Sequence, residues 1–265
     1  MHDFMPDSGP DSGPDFGPVR RNAAVMGTVA SIHVHDRLEP VLIEAAIDDA
    51  LAELERLEQM FSTFRPTSVI SCINRGELNL LDAPPEVIEV VDACTWLEHA
   101  SNGAFSMRRA DGTLDPAGFV KGWAAERAAA RLAARGLANF MLSVGGDLLV
   151  SGEPARGQRW HVAIADPRER GEVVRSVEIT DGVVATSGTS ERGSHIRTID
   201  ASYELLSFTV LGPSLTWADA FATAAFVMGH VGLEWLAQFE GYEGIAIDLG
   251  GVVTTSDGFA ETAVS

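Results

Sequence analysis

Lysine is nearly missing from this 265-residue chain: all but one of its 19 basic side chains are arginine, and the exception is Lys121. Positive charge as a whole is short. The formal net charge of -19 repels nucleic acid and anionic membrane surfaces alike, so neither nucleic-acid binding nor membrane insertion is expected. An anionic ligand would have to be met by a local cation, a metal or backbone N–H groups. Cysteine is scarce too. Cys72 and Cys94 are too few for a disulfide scaffold and have neither CxxC nor zinc-ligand spacing, so they read as two reduced core residues. No apolar run reaches the roughly 18 residues of a membrane span, and the N-terminus lacks the cationic start and apolar stretch of a secretory signal. The expectation is a soluble, cytoplasmic protein. GxSxG, HExxH, GxxxxGK[ST] and a GxGxxG after a strand are all absent, which removes the hydrolase and nucleotide folds that carry them.

What is present begins with a repeat, DSGP-DSGP-DFGP from Asp7 to Pro18, acidic and rich in glycine and proline; residues 1–20 are expected to form a disordered tail. Residues 21–265 read as one domain. Ala23 to His35 is β-rich and broken at Gly27, and Val41 to Phe61 carries apolar residues at helical spacing. Pro84 and Pro85 open a second helix that runs to Ala100, and Phe119 to Arg135 is a third, stopped at Gly136. FMLSV (140–144) and DLLVS (147–151) flank Gly145-Gly146, a hairpin signal. The second half is mostly strands (RWHVAIADP, SVEITDGVVATSG, ELLSFTVLG), with a helix over Leu215 to Met228, a short one near Leu233 to Phe239 and a closing Gly-Gly hairpin. Helices and antiparallel hairpins without regular βαβ alternation predict an α+β fold.

Four places could carry chemistry. Asp219 and Thr223 lie four apart on the predicted fourth helix, one turn apart on one face, and offer oxygen ligands suited to Mg2+. The alternative is an exposed aspartate and a packed threonine. The surrounding residues are apolar nearly all round, which implies a buried helix, where a carboxylate needs a partner. Asp115 and Lys121 flank Gly118 where strand gives way to helix: Lys121 is either a compositional leftover or a point charge at a phosphate-binding helix start. Gly145-Gly146-Asp147 is either a plain turn or a close backbone approach to a ligand. His195 is either an exposed loop histidine or a general base.

The order of these segments resembles that of the ApbE-like FAD:protein FMN transferases. The matching blocks are MGT at Met26–Thr28, FSTFRPTSVISCINRG at Phe61–Gly76, GAF at Gly103–Phe105, LDPAGFVKGWAAERA at Leu114–Ala128, SVGGDLLVSG at Ser143–Gly152, ATSGT at Ala185–Thr189, SHI at Ser194–Ile196 and WADAFATAAFVMG at Trp217–Gly229. The resemblance implies a T-fold-like α+β protein that binds FAD and, with Mg2+, transfers FMN to a threonine or serine hydroxyl of an acceptor flavoprotein, releasing AMP. Some members hydrolyse FAD to FMN and AMP instead, and a third outcome is a flavin-binding protein without turnover. Carried onto matching positions, the resemblance makes Gly118, Asp219 and Thr223 the metal ligands and His195 the base. It places Met26, Phe64, Ala104, Phe105, Ser106, Asp115, Lys121, Gly145, Gly146, Asp147, Ser187, Gly188 and Ile196 at FAD. A monomer or homodimer is expected. Family members often act outside the cytoplasmic membrane, where this chain shows no export signal. After SHI the family's D-P-x-T-G loop is replaced by Arg197-Thr-Ile-Asp-Ala-Ser202, and Ser106 stands where the family tends to have aspartate. These departures lie on the acceptor side.

Overall fold

Hairpins build the frame. The computed structural model describes residues 17–169, 171–188, 205–259 and 263–264. Strands β1 (Val19–Val25) and β2 (Thr28–Val34) pair in register from Val19↔Val34 to Val25↔Thr28. Met26 and Gly27 between them both have positive φ (55° and 71°), the primed-turn backbone that matches strand twist. Val19 packs against the core and pairs with Val34, so Val19 and Arg20, inside the stretch expected as tail up to residue 20, are strand.

Helix α1 (Pro40–Phe61) opens on proline and buries one stripe, Ile43, Ala46, Ile47, Ala50, Leu54, Leu57 and Phe61, at the spacing its sequence announces. A short helix not anticipated from the sequence, α2 (Val69–Asn74), follows, capped where Ser68 Oγ accepts the Ser71 N–H at 3.0 Å. Helices α3 (Pro85–Ala100) and α4 (Ala117–Ala134) come next, then β3 (Phe140–Val144) and β4 (Asp147–Ser151), paired across Gly145-Gly146. Beyond them lie β5 (Trp160–Ala165), β6 (Val173–Ile179), β7 (Gly182–Gly188), β8 (Leu205–Gly212), α5 (Leu215–Met228), α6 (Val231–Leu236), β9 (Glu243–Asp248), β10 (Val253–Thr255) and β11 (Ala263–Val264).

Eight of these strands form an antiparallel sheet in the order β1-β2-β3-β4-β7-β8-β9-β10, and β11-β6-β5 form a second, three-stranded sheet. The α+β class expected from the sequence is the one observed. The SVEITDGVVATSG segment, however, is divided: β6 belongs to the small sheet and β7 to the large one. Along β7 successive residues alternate between two cores, Val183 and Ala185 facing the helices and Val184 facing the small sheet. The main core lies between the large sheet and α1, α4 and α5. Helix α5 is buried almost all round, which is why its sequence is apolar without a polar stripe. Among the described residues no helix is long and apolar enough to cross a membrane.

Candidate functional site

The N-terminus of α4 is built by clamps. Asn74 at the end of α2 bonds both backbone groups of Leu114, accepting its N–H at 2.8 Å and donating to its carbonyl at 2.9 Å. Next in the chain, Asp115 accepts the Ala117 N–H through Oδ1 at 3.3 Å, so it sits at the entry to the helix. Its Oδ2 receives Nε and Nη2 of Arg109, at 3.0 and 2.7 Å, and Nη2 also donates to Thr63 Oγ1 at 3.2 Å. Gly118 lies in the first turn of α4, half-buried, and Lys121 follows one turn on, its side chain 18% exposed.

Two turns close over Lys121. Gly145 and Gly146 have φ of 59° and 94°, a conformation that brings β4 straight back along β3. A Cβ on Gly145 would stand 3.1 Å from Thr28 Oγ1 and 3.5 Å from Lys121 Cδ. The Met26–Thr28 turn, the Gly-Gly turn and the lysine stem are thus in contact distance of one another, and the Gly145 N–H donates to the Val29 carbonyl at 3.1 Å.

Asp147, the first residue of β4, is fully buried. Its Oδ1 accepts the Thr186 N–H from β7 at 3.0 Å, and its Oδ2 lies against Lys121 Nζ. The Lys121 ammonium is the partner of that oxygen, by charge and by hydrogen bond. Asp219 on α5 is fully buried as well. Its Oδ2 accepts the Gly122 N–H at 2.9 Å and its Oδ1 lies 3.4 Å from Lys121 Nζ. One turn further along α5, Thr223 Oγ1 shares a 3.2 Å hydrogen bond with Ser187 Oγ of β7. Four segments distant in sequence therefore meet around one ammonium.

Buried charge is concentrated here. Two buried carboxylates face a single ammonium, and a buried charge is tolerated only when it is matched. Burial pushes the Asp147 carboxyl up to about 7, the charge of Asp219 pushes the same way, and Lys121 opposes both. A cation bound at this place would add to the charge that offsets the two carboxylates. The donors offered are carboxylate and hydroxyl oxygens, which suit a hard ion. No group of three or more His, Cys, Asp or Glu side chains that could hold a metal exists among the described residues, so a metal here would depend on oxygens of another kind, carbonyl, hydroxyl or substrate.

The other expected residues lie around this centre or apart from it. Met26 is half-buried at its turn, and Phe64 is 87% exposed in the loop beyond α1. Ala104 and Phe105 are buried, with Phe105 packed into the main core and its N–H donated to Ser101 Oγ at 3.0 Å, so only backbone groups there could meet a ligand. Ser106 is exposed and donates to Glu98 Oε1 at 2.9 Å. Gly188 is the last described residue of β7, and a Cβ on it would come within 2.9 Å of the Leu206 carbonyl. His195 and Ile196 lie outside the described residues. Sequence reasoning missed Arg109, Asn74, Gly122 and Thr186. Gly122 sits inside the quoted LDPAGFVKGWAAERA block, whereas Arg109 carries no local signal because its role depends on a hairpin turn that brings it back to Asp115.

The ApbE family model matches residues 26–110 and 107–246. A Salmonella typhimurium protein named FAD:protein FMN transferase is 30% identical over 59% of this chain and 50% of its own. A Vibrio cholerae protein of the same name is 30% identical over 69% of this chain and 60% of its own. The chain thus spans about half the length of these curated relatives. Among solved structures, the flavin transferase ApbE from Vibrio cholerae has a TM-score of 0.76 at 21% identity, covering 92% of this chain and 99% of that one. The ApbE protein from Thermotoga maritima has a TM-score of 0.78 at 22% identity, covering 94% and 100%. These likenesses establish a shared fold. With the family model spanning most of the sequence, including every block that meets around Lys121, the chain belongs to the ApbE family.

Proposed function

We propose that this protein is a Mg2+-dependent FAD:protein FMN transferase, moving FMN from FAD to a threonine or serine hydroxyl of an acceptor flavoprotein with release of AMP. The observation that carries the reading is the pair of fully buried carboxylates, Asp147 and Asp219, set against one ammonium. Two carboxylates buried side by side suit a divalent cation together with the Lys121 ammonium, in a chain otherwise hostile to a pyrophosphate. Family membership and the names of the relatives support the same reaction.

In the proposed reaction the acceptor oxygen bonds to the phosphorus of the FMN half. The bond from that phosphorus to the bridging oxygen breaks, and its electron pair leaves with AMP. The hydroxyl proton goes to a base, for which we propose His195. Asp219, Thr223 and the Gly118 carbonyl would hold Mg2+, which when bound neutralises charge on the phosphoryl oxygens. Lys121 keeps Asp147 and Asp219 in place and is the protein's own cation beside the metal. Asp115, tied to Arg109, and the Met26 and Gly145-Gly146 turns form the walls for FAD, and exposed Phe64 offers an aromatic face to the flavin.

The test is incubation of the full chain with FAD and Mg2+, with and without an acceptor domain carrying a threonine flavinylation motif. AMP release and covalent flavin fluorescence on a denaturing gel are followed. AMP together with fluorescent acceptor is the expected result. AMP without acceptor would replace transfer by FAD hydrolysis; flavin binding without AMP would leave a binding protein, and no flavin binding would overturn the reading.

A further inference from the structure

Two of the contacts between helices α4 and α5 bear on where Asp219 stands. At the first, Gly122 has no room for a side chain: a Cβ would come within 2.5 Å of the Leu215 carbonyl and 2.8 Å of Asp219 Cβ. Its N–H donates to Asp219 Oδ2 at 2.9 Å. In a regular helix that N–H bonds to the carbonyl four residues back, which here belongs to Gly118. The carboxylate therefore competes for a donor that would otherwise engage the Gly118 carbonyl.

At the second point, one turn along the same face of α4, Glu126 Oε2 accepts from Ser214 Oγ at 2.9 Å, from the Thr216 N–H at 3.0 Å and from Thr216 Oγ1. Ser214 is the N-cap residue of α5 but makes no side-chain cap bond of its own. Glu126 supplies the cap from the neighbouring helix, where a carboxylate is also favoured by the helix dipole. Leu215 and Asp219 meet Gly122 while Ser214 and Thr216 meet Glu126, so α5 is fixed both in its distance from α4 and in its position along its own axis.

We propose that Gly122 and Glu126 are positioning residues that set the height and axial register of α5, and through it the placement of Asp219 and Thr223 toward a bound metal. The inference rests on the metal reading given above. Neither residue need touch FAD or the ion. Gly122 fixes which Asp219 oxygen is engaged, leaving Oδ1 turned toward Lys121, and Glu126 keeps the helix start from sliding.

The experiment titrates Mg2+ into the full chain with FAD present, for wild type and for Gly122→Ala, Glu126→Ala and Glu126→Gln. It follows the Mg2+-dependent rise in Tm and the tryptophan fluorescence, since Trp217 lies two residues from Asp219. Tm in EDTA separately reports the structural cost of each change. Half-saturating Mg2+ should rise about tenfold or more in Gly122→Ala, and by a smaller factor in Glu126→Ala, as for other residues that orient metal ligands. Glu126→Gln keeps an acceptor oxygen and should return most of the wild-type response; it also serves if Gly122→Ala fails to fold. Variants that lose Tm in EDTA yet keep the wild-type Mg2+ midpoint would overturn the positioning role alone. A wild-type protein with no saturable Mg2+ response would overturn the metal reading itself.

Discussion

The helix-covered face of the large sheet and the face under the small sheet bury different chemistry. Toward the helices, β4 and β7 direct Asp147 and Ser187 into a layer that also holds Lys121, Asp219 and Thr223. On the other face, Val184, Leu211 and Ile245 pack against Val162, Ile164, Val177 and Phe259, and the polar groups beside them are neutral, Thr186 and Thr209 sharing a 2.9 Å hydrogen bond. Apolar burial stabilises through area and fit, and many sequences satisfy it. Buried carboxylates each need a specific partner, so the side that carries them is the side where function is sought.

That contrast can be broken or sharpened by experiment. The largest effect is expected from Asp219→Ala, which removes the main proposed metal carboxylate: Mg2+-dependent AMP release should fall to background, and unchanged release would remove Asp219 from the mechanism. Next is Lys121→Met, which leaves Asp147 and Asp219 without their shared ammonium. Breaking a buried ion pair from one side costs about 3–5 kcal/mol, measurable as a lower urea midpoint in EDTA. Lys121→Arg keeps the charge but places a planar fork beside Gly145, and wild-type activity in it would make the lone lysine a compositional accident.

A smaller effect concerns pH. Asp147 is raised from 3.8 to about 7, so the folded state binds its proton more tightly than the unfolded chain does. Its contribution to stability is present below about pH 4 and is lost as pH rises through about 7. In EDTA, wild type should therefore lose stability between pH 5 and pH 8 relative to Asp147→Asn. A difference that does not change with pH would show that Asp147 is not the group responsible. The smallest effect lies on the other face: Ile164→Val should cost about 1 kcal/mol of unfolding free energy and leave the Mg2+ midpoint and FAD affinity unaltered. A change in either would mean that the two faces are not independent.

Local pattern was a sound guide where one segment carried the whole signal. The apolar run over about Leu215 to Met228 is α5, and the Gly145-Gly146 hairpin is paired as its sequence implies. Pattern failed where the outcome depended on packing. α2 is too short for helical periodicity to show, and its capping serine is one of several polar residues in a loop-like stretch. The division of SVEITDGVVATSG between two sheets is likewise invisible locally, because both halves are equally good strands. At the site, Asp147, Asp219, Thr223 and Lys121 could be named from sequence, whereas Arg109 and Glu126 could not, since each acts on a residue that is near only in the fold.

The sequence by itself determined that one position would hold an ammonium among arginines, that it would stand near a helix start, and that a carboxylate would be carried on a helix too apolar to be exposed. What it left open was whether these residues would meet. That was decided by the crossing of α4 and α5 at Gly122, where the missing side chain lets a backbone N–H reach Asp219, and by the glycine turn that sends Asp147 under Lys121. Periodicity acts over a few residues of chain; charge pairing in a dry interior acts over a few ångströms of space, and only tertiary packing converts one into the other.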